Sequence, residues 1–207
     1  LRNSENISSR PSCQTDRKSQ ILEAAASIFQ EKGYERASLQ DIANKVGLTK
    51  ATLYHYFKHK HDLLFAINYE SITHAIDRMS HILKLSIAPR DKINLAFQQH
   101  FSFYLNNYPY LAVMLHEKTD QLPINIEQSI KSNFRQYISL WENLIKEGVD
   151  AGIFREDLDI KIMTWSAIGM CNWVYKWADS GGRLSFSHIA SIFYQIYLNG
   201  ITNKNIP

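Results

Sequence analysis

Between Lys45 and His61 the chain carries Lys45, Lys50, Lys58 and Lys60, the imidazoles of His55, His59 and His61, and the phenols of Tyr54 and Tyr56, with no aspartate or glutamate among them. Ammonium groups and phenolic hydroxyls bind phosphate oxygens, while imidazole, hydroxyl and methyl groups can meet the edges of bases. An acidic side chain on such a surface would repel phosphate, so its absence belongs to the pattern. No comparable set suited to catalysis occurs elsewhere. The histidines could offer nitrogens to a metal, but a chance histidine pair is the commoner case, and neither a metal nor a cofactor is expected. His116-Glu117-Lys118 lacks the second histidine of a zinc protease motif. Cys171, in an apolar run, reads as a small buried hydrophobe, and there is no G-x-S-x-G, phosphate-binding glycine loop or dinucleotide fingerprint. The chain is not expected to be an enzyme.

Three short helices must position the basic stretch. The first, about residues 16–32, lines up Leu22, Ala25, Ala26 and Phe29 on one stripe and ends at Gly33. The second starts at Ser38, where Ser38-Leu39-Gln40-Asp41 fits a capping box; it turns Ile42, Ala43 and Val46 inward and ends at Gly47. The third starts at Thr49, an N-cap, and runs to about Phe57. At a step of about 100° per residue, Leu53 and Phe57 fall nearly opposite Ala51, His55 and Lys58. The helix is then anchored by the first pair and presents the others outward. Two helices joined by a glycine-containing turn form a helix-turn-helix candidate. Laid in a DNA major groove, such a helix points Tyr54 and Tyr56 at opposite phosphate walls and leaves its middle to the bases. His55 can bond to a base edge, Ala51 can touch a thymine methyl, and Thr52 can do either. Thr49, Lys50, Lys58 and Lys60 would add phosphate contacts blind to sequence.

The charge distribution agrees. Net charge is only +3 over 207 residues, yet residues 1–62 hold ten Lys/Arg against seven Asp/Glu while residues 63–207 hold thirteen of each. The whole excess lies in the first third. Two cysteines, Cys13 and Cys171, in dissimilar surroundings suggest a reducing compartment. The first residues lack an apolar core of signal-peptide length, and no run approaches about 18 apolar residues. A cytoplasmic protein without a membrane partner is expected.

Beyond residue 60 the pattern lengthens. Helices are expected over about 61–84, from Pro89 to a break at Pro109, from there to Glu117, from Pro123 to a stop near Gly148 or Gly152, and over about 159–178 and 185–199. No segment has strand alternation or a hairpin signal. The expected fold is all-α: a disordered or flexible tail (1–15), a three-helix helix-turn-helix domain (16–62), and a larger domain (63–207) of about six helices for ligand binding and dimerisation.

The stretch "ILEAAASIFQEKGYERASLQDIANKVGLTKATLYHYFKHKHDLL" resembles the DNA-binding domain of TetR-type transcriptional regulators over about residues 18–64. The resemblance implies a homodimer that sets each third helix into half of a roughly palindromic operator. Positions matching the family's DNA contacts are Ser38, Thr49, Ala51, Thr52, Tyr54, His55, Tyr56 and Lys60, with Arg17 and Lys18 reaching backbone phosphate. It also implies a small-molecule pocket in the larger domain, whose occupation releases the operator. "GMCNWVYKW" with the following "GGRLS" is similar to the end of a subgroup tied to lipid and sterol breakdown, with acyl-CoA inducers. Such a ligand needs cations for its phosphates and an aromatic wall, roles open to Trp173, Lys176, Trp177 and Arg183. In the family the last two helices dimerise, which assigns Ile189, Ile192, Phe193, Ile196 and Tyr197 to the interface. The expected function is a ligand-responsive repressor; the alternative is a DNA-binding or architectural dimer without an effector, and a cavity in the larger domain discriminates between them.

Overall fold

The computed structural model describes the backbone at residues 12–116, 122–174, 177–178 and 182–202, and the side chains of these apart from 12–16 and 103–116. Among the described residues the chain is all-helical: α1 (Ser12–Lys32), α2 (Leu39–Val46), α3 (Lys50–Tyr56), α4 (Lys60–Lys84), α5 (Pro89–His116), α6 (Ile124–Asp150), α7 (Ile160–Trp173) and α8 (Phe186–Ile201). The extended pairing found there is a single bridge between Phe154 and Thr202. No helix among the described residues is long and apolar enough to cross a membrane.

Two compact units divide after Ile67, inside α4, rather than after residue 62. Leu63, Leu64 and Ile67 are fully buried residues of the first unit. In that unit α1 buries Ile21, Leu22, Ala25, Ala26 and Phe29, and begins at Ser12, ahead of the expected start. Gly33 ends it at φ 76°, a left-handed conformation that costs glycine little.

The second unit is built around α5. Phe97 packs edge-on to Trp141 of α6, with ring centroids 6.0 Å apart, and 5.4 Å from Tyr197 of α8. Around them lie Ile93, Ala96 and Phe101, Leu144 and Ile145 of α6, and Met163, Ala167, Ile168 and Cys171 of α7. Among the described residues one cation is buried: the Lys92 ammonium donates to both carboxylate oxygens of Glu147 (2.7 and 2.9 Å) and to the Leu83 carbonyl (3.0 Å). Those bonds compensate its desolvation.

The break expected at Pro109 is not found, while the stop of α6 falls at one of the two expected glycines. Pro109 does not break α5, which continues to His116. The helix is already nucleated and packed over its first turns, and extending an existing helix costs far less than starting one; a proline removes one bond and bends the rod without ending it. Five helices therefore follow α3 among the described residues, not six. The stop of α6 is settled at Gly152, with φ 71°, whereas Gly148 stays inside the helix and buried. Asp159 and Ser185 cap α7 and α8 by accepting the Ile162 and His188 N–H groups.

Candidate DNA-reading surface and buried cavity

The turn that aims α3 is fixed from both ends. The Ser38 Oγ accepts the Asp41 N–H at 3.1 Å, and Asp41 Oδ2 accepts the Ser38 N–H at 3.0 Å, which completes the capping box. Lys32 donates to the other oxygen of Asp41 at 2.7 Å, and Lys32 and Ser38 together hold that carboxyl down at about 2. It therefore stays ionised through the physiological range. Gly47 then turns the chain at φ 72°, and Thr49 starts α3 by accepting the Thr52 N–H at 3.1 Å.

Within α3 the two sides separate as the spacing predicts. Leu53 is 0 % exposed and Phe57, which caps the helix, 6 %. Lys50, Ala51, Tyr54 and His55 are exposed, and Thr52 and Tyr56 are half-buried. Ala51 and His55 thus lie on the outer surface, clear of the core. Lys58 is exposed beyond the end of the helix. The Lys50 ammonium sits 5.8 Å above the Tyr54 ring, and that of Lys18 5.8 Å above Phe57. Arg17, half-buried, donates to Gln20 at 2.7 Å.

Lys45 and Lys60 are the basic residues turned to other uses. Lys45 pairs with Glu31 at 2.6 Å, so its charge is locally balanced. The Lys60 ammonium donates to the carbonyls of Tyr34 (2.6 Å), Glu35 (3.1 Å) and Ala37 (3.1 Å) and lies 4.3 Å from the Tyr34 ring centroid. An ammonium has three N–H donors, and all three have acceptors in the chain between α1 and α2. Spacing placed Lys60 on phosphate; the geometry makes it a brace for that turn. His59 and His61 stack at 4.9 Å, with Asp62 accepting the His59 N–H at 2.8 Å and lying 3.4 Å from the His61 ring.

The second unit holds a small apolar cavity of about 40 Å³, walled by α4 (Ser71, Ile72, Ala75, Met79), α5 (Ala96, His100), α6 (Phe134, Tyr137) and α7 (Ile168, Asn172), with Arg78 and Gln99 also on its lining. At its polar end the His100 Nδ1 lies 3.1 Å from the Tyr137 hydroxyl and its Nε2 3.1 Å from the Asn172 Oδ1. An amide oxygen only accepts, so Nε2 carries the proton and Nδ1 accepts from the Tyr137 hydroxyl. Burial pushes the His100 imidazole down to about 4, against a pull upward from Asn172, and raises the Tyr137 phenol. Both are neutral at pH 7. A few waters fit in 40 Å³, and a longer occupant requires adaptable walls such as Met79 to move.

Of the residues assigned to a ligand by the terminal resemblance, the described ones, Trp173, Trp177 and Arg183, do not line this cavity. Trp173 is 64 % exposed; Trp177 is exposed with its ring 6.3 Å from Phe193; Arg183 is exposed; Lys176 lies outside the described residues. The cavity residues carried a quieter signal, a polar position inside an apolar stripe: Ser71 between Ile67 and Ile72, and His100 between Phe97 and Phe101. The proposed interface is also redistributed. Ile189 and Tyr197 are buried in their own protomer, the Tyr197 hydroxyl donating to the Met163 carbonyl at 2.9 Å, because α8 turns that side toward α5 and α7. Ile192 and Phe193 are half-buried, and Ile196 is 58 % exposed. On α7, Ile162 (69 % exposed) and Trp165 stand out with Trp173, and of these the spacing did not single out Ile162 or Trp165 as a surface.

Residues 86–201 match the tetracyclin repressor-like C-terminal domain, more than half of the chain, and residues 21–67 match the bacterial regulatory proteins of the tetR family. The chain belongs to the TetR family. As a TetR-family member it is a DNA-binding transcriptional regulator, and the matched residues 21–67 include α3. It is 25 % identical over 186 residues to the fatty acid metabolism regulator protein of Bacillus subtilis, covering 89 % of this chain and 95 % of that one. It is 25 % identical over 195 residues to the transcriptional repressor KstR2 of Mycolicibacterium smegmatis, covering 94 % and 95 %. Among solved structures, AibR in complex with isovaleryl coenzyme A and operator DNA matches with a TM-score of 0.77 and 26 % identity, covering 87 % of this chain and 97 % of AibR.

Proposed function

We propose that this regulator acts in the cytoplasm as a homodimeric repressor on a palindromic operator, and that an acyl-CoA thioester releases it. The observation that carries this reading is the anchored helix α3, whose exposed side offers Ala51, Thr52 and His55 to bases between Tyr54 and Tyr56, with Thr49, Lys50 and Lys58 beside phosphate. Ser38, Arg17 and Lys18 support that surface, and Lys60 braces it. The cavity favours a ligand-gated protein over an architectural dimer, and the AibR complex supports a coenzyme A thioester as the ligand class. The acyl end belongs in the cavity; exposed Trp177 and Arg183 are candidates for the nucleotide end. Ile162, Trp165 and Trp173 of α7 with Ile196 of α8 form the apolar face assigned to the two-fold mate, since large apolar side chains clustered in water mark an interaction surface.

Selection of bound duplexes from a random pool, followed by anisotropy titrations, tests the DNA role. His55→Ala is expected to change base preference at one position of each half-site, by about tenfold or less, with little change in non-specific affinity. A uniform loss on all sequences would remove His55 from base recognition. Titration of the operator complex with acyl-CoAs of increasing chain length tests the effector role: release at micromolar ligand is expected, and no release by any thioester would sink the effector class.

A further inference from the structure

The polar groups at the cavity are unevenly satisfied. Ser71 lies on α4 with its Oγ fully buried, lines the cavity, and has no hydrogen-bond partner. A helical serine commonly donates to the carbonyl one turn back, and Ser71 does not. A buried hydroxyl left unpaired costs free energy that a ligand acceptor recovers. Across the same space the Asn172 side-chain oxygen is committed to His100, which leaves its N–H₂ group to donate, while the Tyr137 proton is committed to His100. Neutral donors are therefore available at the cavity, and the Ser71 hydroxyl can also accept. Among the described lining residues Arg78 is the charged one, but it is exposed and donates to Gln99 (3.0 Å) and Ser102 (3.3 Å), which places its charge at the solvent side. A carboxylate drawn inward would lose its water without gaining an ion pair.

We propose that the cavity takes an apolar ligand through one uncharged acceptor oxygen, a ketone, ester or thioester carbonyl, bonded by the Ser71 hydroxyl, and rejects the free carboxylate. This rests on the effector reading above and sharpens it: the regulator senses the activated or neutral carbonyl compound and not the free acid.

Calorimetric titration of the full chain, without DNA, at pH 7.5 with 2-octanone and with octanoate tests it. The ketone is expected to bind at least about tenfold more tightly than the acid. Ser71→Ala is expected to weaken the ketone about fivefold, the loss of one neutral hydrogen bond, and Ser71→Thr to restore most of it. Equal or tighter binding of octanoate, an unchanged ketone affinity in Ser71→Ala, or binding of neither probe would overturn the proposal. The comparison of the two probes on the unaltered protein stands even where a variant fails to fold. Operator release by an acyl-CoA alongside a preference for octanoate would refute this polarity assignment alone, whereas failure of release would refute the effector reading.

Discussion

Gly148→Ala is expected to lower the unfolding free energy by about 3 kcal/mol, the upper end for overpacking a core. A Cβ placed on Gly148 would lie 2.1 Å from two ring carbons of Phe154. Phe154 is 1 % exposed and belongs to the core of the second unit, and its backbone is tied to Thr202. The ring therefore cannot step aside cheaply. Ordinarily alanine stabilises a helix interior relative to glycine by about 1 kcal/mol, so the sign of the effect is itself diagnostic. Urea unfolding at fixed protomer concentration would measure it. Gly148→Ala combined with Phe154→Leu should recover part of the loss through their coupling. A Gly148→Ala protein as stable as the parent would show that helix and ring are not in register as described.

Lys60→Ala is expected to destabilise the helix-turn-helix by about 2 kcal/mol, because charge-assisted hydrogen bonds to several carbonyls are lost together. Operator affinity should fall for every sequence. The discriminating quantity is the salt dependence. If Lys60 braces the turn between α1 and α2, the slope of log affinity against log salt stays at the parent value while thermal stability drops. If it neutralised a phosphate, the slope would lose about one unit and stability would hold. The three carbonyl contacts at 2.6, 3.1 and 3.1 Å predict the first outcome.

Much of α3 was legible because its determinants are local. A capping box at Ser38 and Asp41, a left-handed glycine at 47 and an N-cap at Thr49 lie within a dozen residues, and the helical period alone separates Leu53 from Ala51 and His55. Periodicity says which side of a helix faces inward, but it does not say where a long flexible side chain ends. Lys60 illustrates this: its partners lie more than twenty positions earlier in the chain. The same limit applied at the C-terminal end. Trp173 and Trp177 attract attention by size, but two of α8's apolar positions, Ile189 and Tyr197, were already needed inside the protomer.

By itself the sequence determined an all-helical chain with a basic amino-terminal helix anchored on one side, because capping, glycine placement and apolar period act over neighbouring residues. Tertiary structure alone decided that Ser71, His100, Tyr137 and Asn172, from four different helices, meet around one cavity, and that Lys60 closes a turn. Those encounters depend on how helices pack across long sequence separations, and no local pattern encodes which polar groups will be left without a partner once they do.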